Sequence, residues 1–203
     1  MELEYKWKMP ALEQEDMLSR LNALSPEVLS SGEHQMSAAY YDTDDHMFTR
    51  QHGALRLRVE DGKKICCVKR SKSSDGACTA REEYEVPADS VQEGLFKLCD
   101  SKLGLAFCMI VLNHKIIPLC RIDFQRTACQ LRFSHQGETC EGELAVDRGS
   151  AAREDISVPI SEVEFEFKGG SEDLFHRCAQ QIQTLLSLEP QPLSKLAQIM
   201  EAE

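Results

Sequence analysis

The chain has 203 residues, 42% hydrophobic and 28% charged, with a formal net charge of −11. That length holds one medium-sized core, and the charge argues against a general nucleic-acid binder, because the chain as a whole repels polyanions. No apolar run approaches the roughly 18 residues of a membrane span, so no membrane partner is expected. The N-terminus lacks the basic and apolar regions of a secretory signal. Nine cysteines form no Cys-x-x-Cys pair, which reads as reduced, buried thiols of a cytoplasmic protein rather than a zinc site.

In chain order, residues 2–9 (ELEYKWKM) alternate charged and apolar side chains, the period of a strand. A helix is expected over 11–30, from Leu12, Met17, Leu18, Leu21 and Leu24 at helical spacing. Strands follow at 36–42, 54–60, 64–70 and 81–86, with a hairpin turn at Glu60-Asp61-Gly62-Lys63 and a longer mobile loop from Ser71 to Thr79. A helix over 89–103 would start at Asp89, with Gln92 three residues on, and end before Gly104. Strands 119–133, 139–147 and 160–168 come next, the first two joined through His135-Gln136-Gly137. Helices over 171–188, opened by Ser171, and 192–201, opened by a proline, complete the pattern. No repeat and no linker divides residues 1–203, so one domain is expected, with the 192–201 helix as its last element.

Five strands carry a charged face backed by an apolar one. Glu2, Glu4, Lys6 and Lys8 share a face; so do Arg56, Arg58 and Glu60, and Arg81, Glu83 and Glu85. Glu143 and Asp147 are in phase, as are Glu162, Glu164, Glu166 and Lys168. For any single strand a solvated charged face is ordinary. As a set, the faces mix acids with bases, and helices are available to cover the apolar sides from outside. The alternative is a closed barrel with a charged interior. Burying so many charges is costly unless they bind something. Cationic side chains suit phosphate oxygens and clustered carboxylates suit divalent cations, so a metal-bound polyphosphate would satisfy both.

These segments resemble the CYTH domain superfamily, the triphosphate tunnel metalloenzymes. ELEYK resembles its Glu-x-Glu-x-Lys signature; YYDTDD, GALRLR, CVKR, AREEYEV, DFQR, ELAVDRG and ISEVEFEFK follow in the family's order, and LSKL resembles its C-terminal Ser-Lys. The family's Ser-Lys-x-x-Arg-Gly-Tyr continues here only as Ser194-Lys195-Leu196-Ala197-Gln198. Bacterial inorganic triphosphatases look most similar. The resemblance implies an α+β fold: a closed eight-stranded antiparallel β-barrel with a charged interior and helices outside, the C-terminal helix closing against the tunnel.

The resemblance also implies roles. Glu2, Glu4, Asp147, Glu162 and Glu164 would hold Mg²⁺ or Mn²⁺. Lys6, Arg56, Arg58, Lys69, Arg81, Arg126 and Lys195 would bind the triphosphate. Glu2, Glu4, Lys6, Arg58 and Glu164 would carry catalysis, with Glu83, Glu85, Glu143, Glu166 and Lys168 lining the tunnel. The implied reaction is metal-dependent hydrolysis of tripolyphosphate to pyrophosphate and phosphate, an acid anhydride hydrolysis that needs no protein nucleophile. Consistently, neither Gly-x-Ser-x-Gly nor a Walker-type loop occurs. Two alternatives stay open: hydrolysis or cyclisation of an organic triphosphate, as in thiamine triphosphatases and class IV adenylyl cyclases, and a non-catalytic polyphosphate- or nucleotide-binding module. The first would need an aromatic or apolar pocket at a tunnel mouth, against which the 6% aromatic content counts. Glu60, Glu82 and Lys8 are expected on a solvated rim, and His46, His52, His114, His176, Trp7, Tyr40 and Tyr41 in surface or packing roles.

Overall fold

A computed structural model describes residues 2–9 and 14–202. Eight antiparallel strands close into a barrel: β1 (Glu2–Lys8), β2 (Glu27–Thr43), β3 (Gly53–Glu60), β4 (Lys63–Asp75), β5 (Cys78–Pro87), β6 (Ile116–His135), β7 (Glu138–Arg153) and β8 (Ile156–Gly170). Around the barrel the order is β1-β5-β4-β3-β2-β6-β7-β8. The first strand closes the ring by pairing with β5 through Glu2↔Arg81 and with β8 through Lys6↔Glu164. Closure leaves no long unpaired edge, and period-two alternation then sends one face of every strand into the lumen.

Among the described residues six α-helices lie on this frame: α1 (Gln14–Leu21), α2 (Met47–Arg50), α3 (Val91–Leu98), α4 (Lys102–Val111), α5 (Glu172–Leu186) and α6 (Lys195–Met200). Two apolar cores form outside the barrel wall. In one, the outward Trp7, Phe165 and Val163 meet Leu174, Phe175, Cys178 and Ile182 of α5 and Met17 of α1. Ser171 caps α5 by accepting a hydrogen bond from the Leu174 amide. In the other, Leu55, Cys66 and Val68 of β3 and β4 meet Phe48, Leu95 and Phe107 of α2, α3 and α4. A third cluster runs along β2, β6 and β7 and includes Met36, Ile122 and Phe124, closed over by Ile199 of α6.

The hairpin expectations hold. Asp61 and Gly62 have φ of 46° and 83°, and Gln136 and Gly137 have 49° and 85°. Two successive positive φ angles match the right-handed twist of the strands they join.

Four boundaries differ from expectation. The helix expected over 11–30 is α1 plus a single 3-10 turn ending at Leu24; Leu12 lies outside the described residues. Ser25 turns left-handed at φ 50°, and residues from Glu27 onward join β2, where Glu27 pairs with Arg132. The apolar spacing stops at Leu24, and long-range strand pairing sets the conformation beyond it. The Ser71–Thr79 loop is instead the end of β4, a turn at Gly76–Ala77 and the start of β5, with Ser71↔Arg81 in register. The helix expected over 89–103 is two helices, α3 capped by Ser90 and α4 capped by Ser101. Gly104 sits inside α4 rather than ending a helix: a Cβ there would lie 2.1 Å from the Leu98 carbonyl oxygen. The last helix begins at Lys195, capped by Ser194, and not at the proline. No helix among the described residues is long and apolar enough to cross a membrane.

Candidate functional site

The inward faces enclose a cavity of about 1050 Å³. Glu2, Glu4 and Lys6 of β1, Arg56 and Arg58 of β3, Lys69 of β4, and Arg81, Glu83 and Glu85 of β5 all line it. So do Arg126 of β6, Glu143 of β7, Glu164, Glu166 and Lys168 of β8, and Lys195 of α6. Asp147 and Glu162 are fully buried in its wall and joined to it through Lys195. Every candidate site residue of the sequence therefore converges on one lumen. Lys8 and Glu82 stay outside it, paired with Glu189 and Lys72. Glu60, expected on a rim, lines the cavity and pairs with Arg58 at 3.3 Å.

The charges form two groups. On the β6–β7–β8 side, Arg126 donates from Nε and Nη2 to Asp147 Oδ1 and Oδ2 at 2.8 and 2.7 Å, and from Nη2 to Glu164 Oε2 at 2.5 Å. Lys195 Nζ lies 2.7 Å from Asp147 Oδ2 and 2.8 Å from Glu164 Oε1, and also pairs with Glu162. Oxygens of Asp147, Glu162 and Glu164 lie within 4.8 Å of one another. On the β3–β4–β5 side, Arg56 donates to Glu83 at 3.3 Å and to Glu85 at 3.0 Å, and Arg58 to Glu85 at 3.3 Å. Lys69 reaches Glu83 at 2.5 Å, and Arg81 reaches Glu4 at 2.7 Å. The two signs thus hold each other in place across strands.

Burial and neighbouring charge pull the titrations apart. Burial pushes the Glu4 carboxyl up, and the Glu164 charge adds to it; burial likewise raises Glu2 and Glu162. Burial opposes ionisation of Glu164 too, but Lys195, Arg126 and Lys6 outweigh it and hold that carboxyl well below the usual range. Burial lowers Lys6, whereas the three carboxylates around Lys195 more than offset its burial and hold its ammonium well above the ordinary lysine range. Oxygens of Glu2, Glu4 and Glu162 are buried without a directed hydrogen bond, although cations stand near them. Hard oxygen donors of this kind, beside the converging oxygens of Asp147, Glu162 and Glu164, fit a divalent cation such as Mg²⁺ or Mn²⁺.

Several residues at or beside the cavity were not among those expected from the sequence. Gln198 donates to Glu162 Oε2 at 2.9 Å; it lies three positions after Lys195 on one helix face, a spacing that could have found it. His46 and His52 reach the cavity, and Tyr40, packed in the third core cluster as expected, also touches it. Phe124 shares strand phase with Arg126 and lines an apolar stretch of wall with Met36, Ala38 and Ile122; Lys195 Nζ stands 5.2 Å from its ring centroid. YYDTDD serves support. The buried Asp42 accepts hydrogen bonds from the amides of Thr43, Phe48 and Thr49 and from Thr49 Oγ1, fixing α2 against the barrel.

Known proteins resemble this chain. An inorganic triphosphatase of Haemophilus influenzae is 29% identical over 154 residues, covering 70% of this chain but 40% of its own length. The chain thus spans well under half of that relative. Among solved structures, a Hippeastrum protein described as an adenylyl cyclase with a dominant triphosphatase activity superposes with a TM-score of 0.62 at 19% identity, over 98% of this chain and 95% of its own. A Pyrococcus horikoshii protein superposes with a TM-score of 0.53 at 17% identity, covering 99% of each chain. At such identities the likeness is one of fold. The CYTH domain profile matches residues 1–199, and with the closed barrel and its charged lumen this makes the chain a member of the CYTH domain family.

Proposed function

We propose that the chain, as one domain closed by α6, hydrolyses inorganic triphosphate to pyrophosphate and phosphate with the help of Mg²⁺ or Mn²⁺. The observation that carries this reading is a single lumen in which phosphate-type cations and cation-type carboxylates interleave. The similarity to an inorganic triphosphatase supports it. A binding module for anions alone would gain nothing from so many buried carboxylates, each of which repels phosphate.

In this reading Arg56, Arg58, Lys69 and Arg81 exchange their carboxylate partners for phosphate oxygens. The arginines present forked donors and the lysine a point charge, so together they orient the chain of phosphates and stabilise charge that spreads over its oxygens during cleavage. Lys6 and Arg126 meet the phosphates from the opposite wall. Asp147, Glu162 and Glu164, joined by Glu2 and Glu4 across β1, hold the divalent cation. When bound, that cation supplies Lewis-acid polarisation and an acidified water. Most of these side chains are largely shielded by the barrel wall, which strengthens each of these charge interactions relative to open solvent.

A second reading has a specific observation behind it. Met36, Tyr40, Ile122 and Phe124 give the lumen an apolar wall. That is the kind of surface an organic triphosphate would need, and it was not expected from the low aromatic content. The test is a panel of tripolyphosphate, thiamine triphosphate and ATP with each metal, reading phosphate, pyrophosphate and cyclic AMP. Preferred cleavage of tripolyphosphate is the expected result. A higher kcat/KM for an organic triphosphate would favour the second reading.

A further inference from the structure

The Lys195 ammonium stands where three carboxylates converge: 2.7 Å from Asp147, 2.8 Å from Glu164 and paired with Glu162. Those carboxylates are the ones that the proposed function gives to a divalent cation. An ammonium and a divalent cation cannot both sit at contact distance from the same oxygens, because their mutual repulsion is little screened inside a closed lumen. We infer that Lys195 and the divalent cation compete for the Asp147–Glu162–Glu164 site, so that metal loading releases the Lys195 ammonium into the lumen and loosens the helix that carries it. The inference rests on the metal reading of those three carboxylates.

Arg126 touches two of the same carboxylates, but it is the poorer candidate for displacement. Its guanidinium grips Asp147 through two parallel bonds and is carried by a barrel strand paired on both sides. Lys195 is a point charge on a flexible stem at the first position of a six-residue helix. The neighbouring ties of that helix lead to the same place. Gln198 donates to Glu162 at 2.9 Å, and Lys6, which faces Glu164 across β1–β8, donates to the Leu193 carbonyl at 2.6 Å. Loading the carboxylates therefore withdraws the ion pairs of Lys195 and the hydrogen bond of Gln198 together. What would remain is the Lys6 bond to the Leu193 carbonyl, the Arg153 contact with Met200 Sδ, and the buried Ile199 with the partly buried Leu196 and Met200, enough to keep the helix tethered to the third core cluster. Lys195 already lines the cavity, so its ammonium has open lumen to turn into, toward the phosphates.

The test needs no substrate and no turnover. Mn²⁺ binding is titrated by electron paramagnetic resonance in the parent protein, in Lys195→Met and in Asp147→Asn. Backbone amide exchange of residues 195–200 is followed in the parent with and without Mn²⁺. The expected result is Asp147-dependent binding in the parent, tightened on the order of tenfold to hundredfold by Lys195→Met, as removal of a competing cation requires. Faster exchange of the 195–200 amides on adding Mn²⁺ is expected as well, and it reads the parent chain even if Lys195→Met folds poorly. Asp147-dependent binding that Lys195→Met leaves unchanged or weakens, with no change in amide exchange, would overturn the competition and leave the metal reading standing. Failure of the parent to bind Mn²⁺ through Asp147 would overturn the metal reading, and the inference with it.

Discussion

Arg126 on β6 and Asp147 on β7 are register partners, and the guanidinium holds both oxygens of a carboxylate that has no solvent exposure. This fork also reaches Glu164, so one arginine offsets two of the three clustered carboxylates. Removing it leaves buried negative charge with Lys195 as the main remaining counter-ion. Arg126→Met should therefore cost about 3–5 kcal/mol of stability, the usual consequence of breaking a buried pair on one side. Arg126→Lys keeps the charge and loses the fork, so its loss should be smaller. Urea unfolding checks both, and a Met variant as stable as the parent would show that the pair contributes nothing to the fold.

Metal work and phosphate work should separate by mutation. Glu4→Gln keeps size and removes a buried negative charge that stands 2.7 Å from Arg81. It should abolish most turnover, and excess Mn²⁺ should restore part of it. Arg58→Ala removes a forked donor, so transition-state stabilisation should fall by about 2–4 kcal/mol, with no rescue by metal. Steady-state kinetics over a Mn²⁺ series decides. Near-parental activity in both folded variants would put the reaction elsewhere.

Much of this lumen was legible because strand periodicity is a local property: once β1, β3, β5 and β8 alternate, the side chains of each strand that share the lumen are settled. Arg126 and Arg121 illustrate it. Five residues apart, they fall on opposite faces, and Arg121 indeed points outward to Asp123. What could not be read were features that depend on a partner distant in sequence. Residues 27–30 carry no strong strand signal and become strand only against β6. Ser71 to Thr79 are polar enough to resemble a loop for another reason: their pairing is local, and the β4–β5 hairpin carries its ladder down to Asp75↔Cys78 in spite of that composition. The apolar wall was invisible for a related reason. Met36, Ile122 and Phe124 look like ordinary core residues, and only closure of the barrel turns their shared face toward the charged cavity.

Asp42 offers a prediction free of the lumen charges. Its two oxygens accept from three backbone amides and from the hydroxyls of Thr49 and, at 3.5 Å, Thr43, all around the start of α2. Asp42→Ala leaves the amides of the buried Thr43 and Phe48 without their partner, and the amide and hydroxyl of the exposed Thr49 to water. A loss of about 2–4 kcal/mol is expected from orphaned amides and the missing cap together. Asp42→Asn keeps one acceptor oxygen and should lose less. Thermal unfolding of the two variants gives the order, and an Ala variant at parental stability would refute the capping role.

The last prediction concerns acid. Glu83 is opposed in its ionisation by burial, but Lys69, hydrogen bonding and Arg56 prevail and lower its carboxyl from the ordinary 4.5 to about 2. A lowered carboxyl stabilises the folded chain when ionised, so its contribution is fully present above pH 4.5 and is lost as pH falls toward about 2. The contribution at neutral pH is on the order of 3 kcal/mol. Glu4 and Glu162 act in the opposite sense: burial raises their carboxyls, so acid relieves them and favours the folded state. The parent's own stability profile therefore mixes both signs. In the difference between parent and Glu83→Gln the contributions of Glu4 and Glu162, common to both chains, largely cancel. What remains is the titration of Glu83 together with Glu2, whose carboxyl Glu83 helps to raise. Denaturant unfolding at a series of pH values should find the variant less stable at pH 7 and the gap closing between the two carboxyl values. A gap that stays constant down that range would mean that Glu83 draws no stability from Lys69 and Arg56, and that its place in the lumen rests on substrate alone.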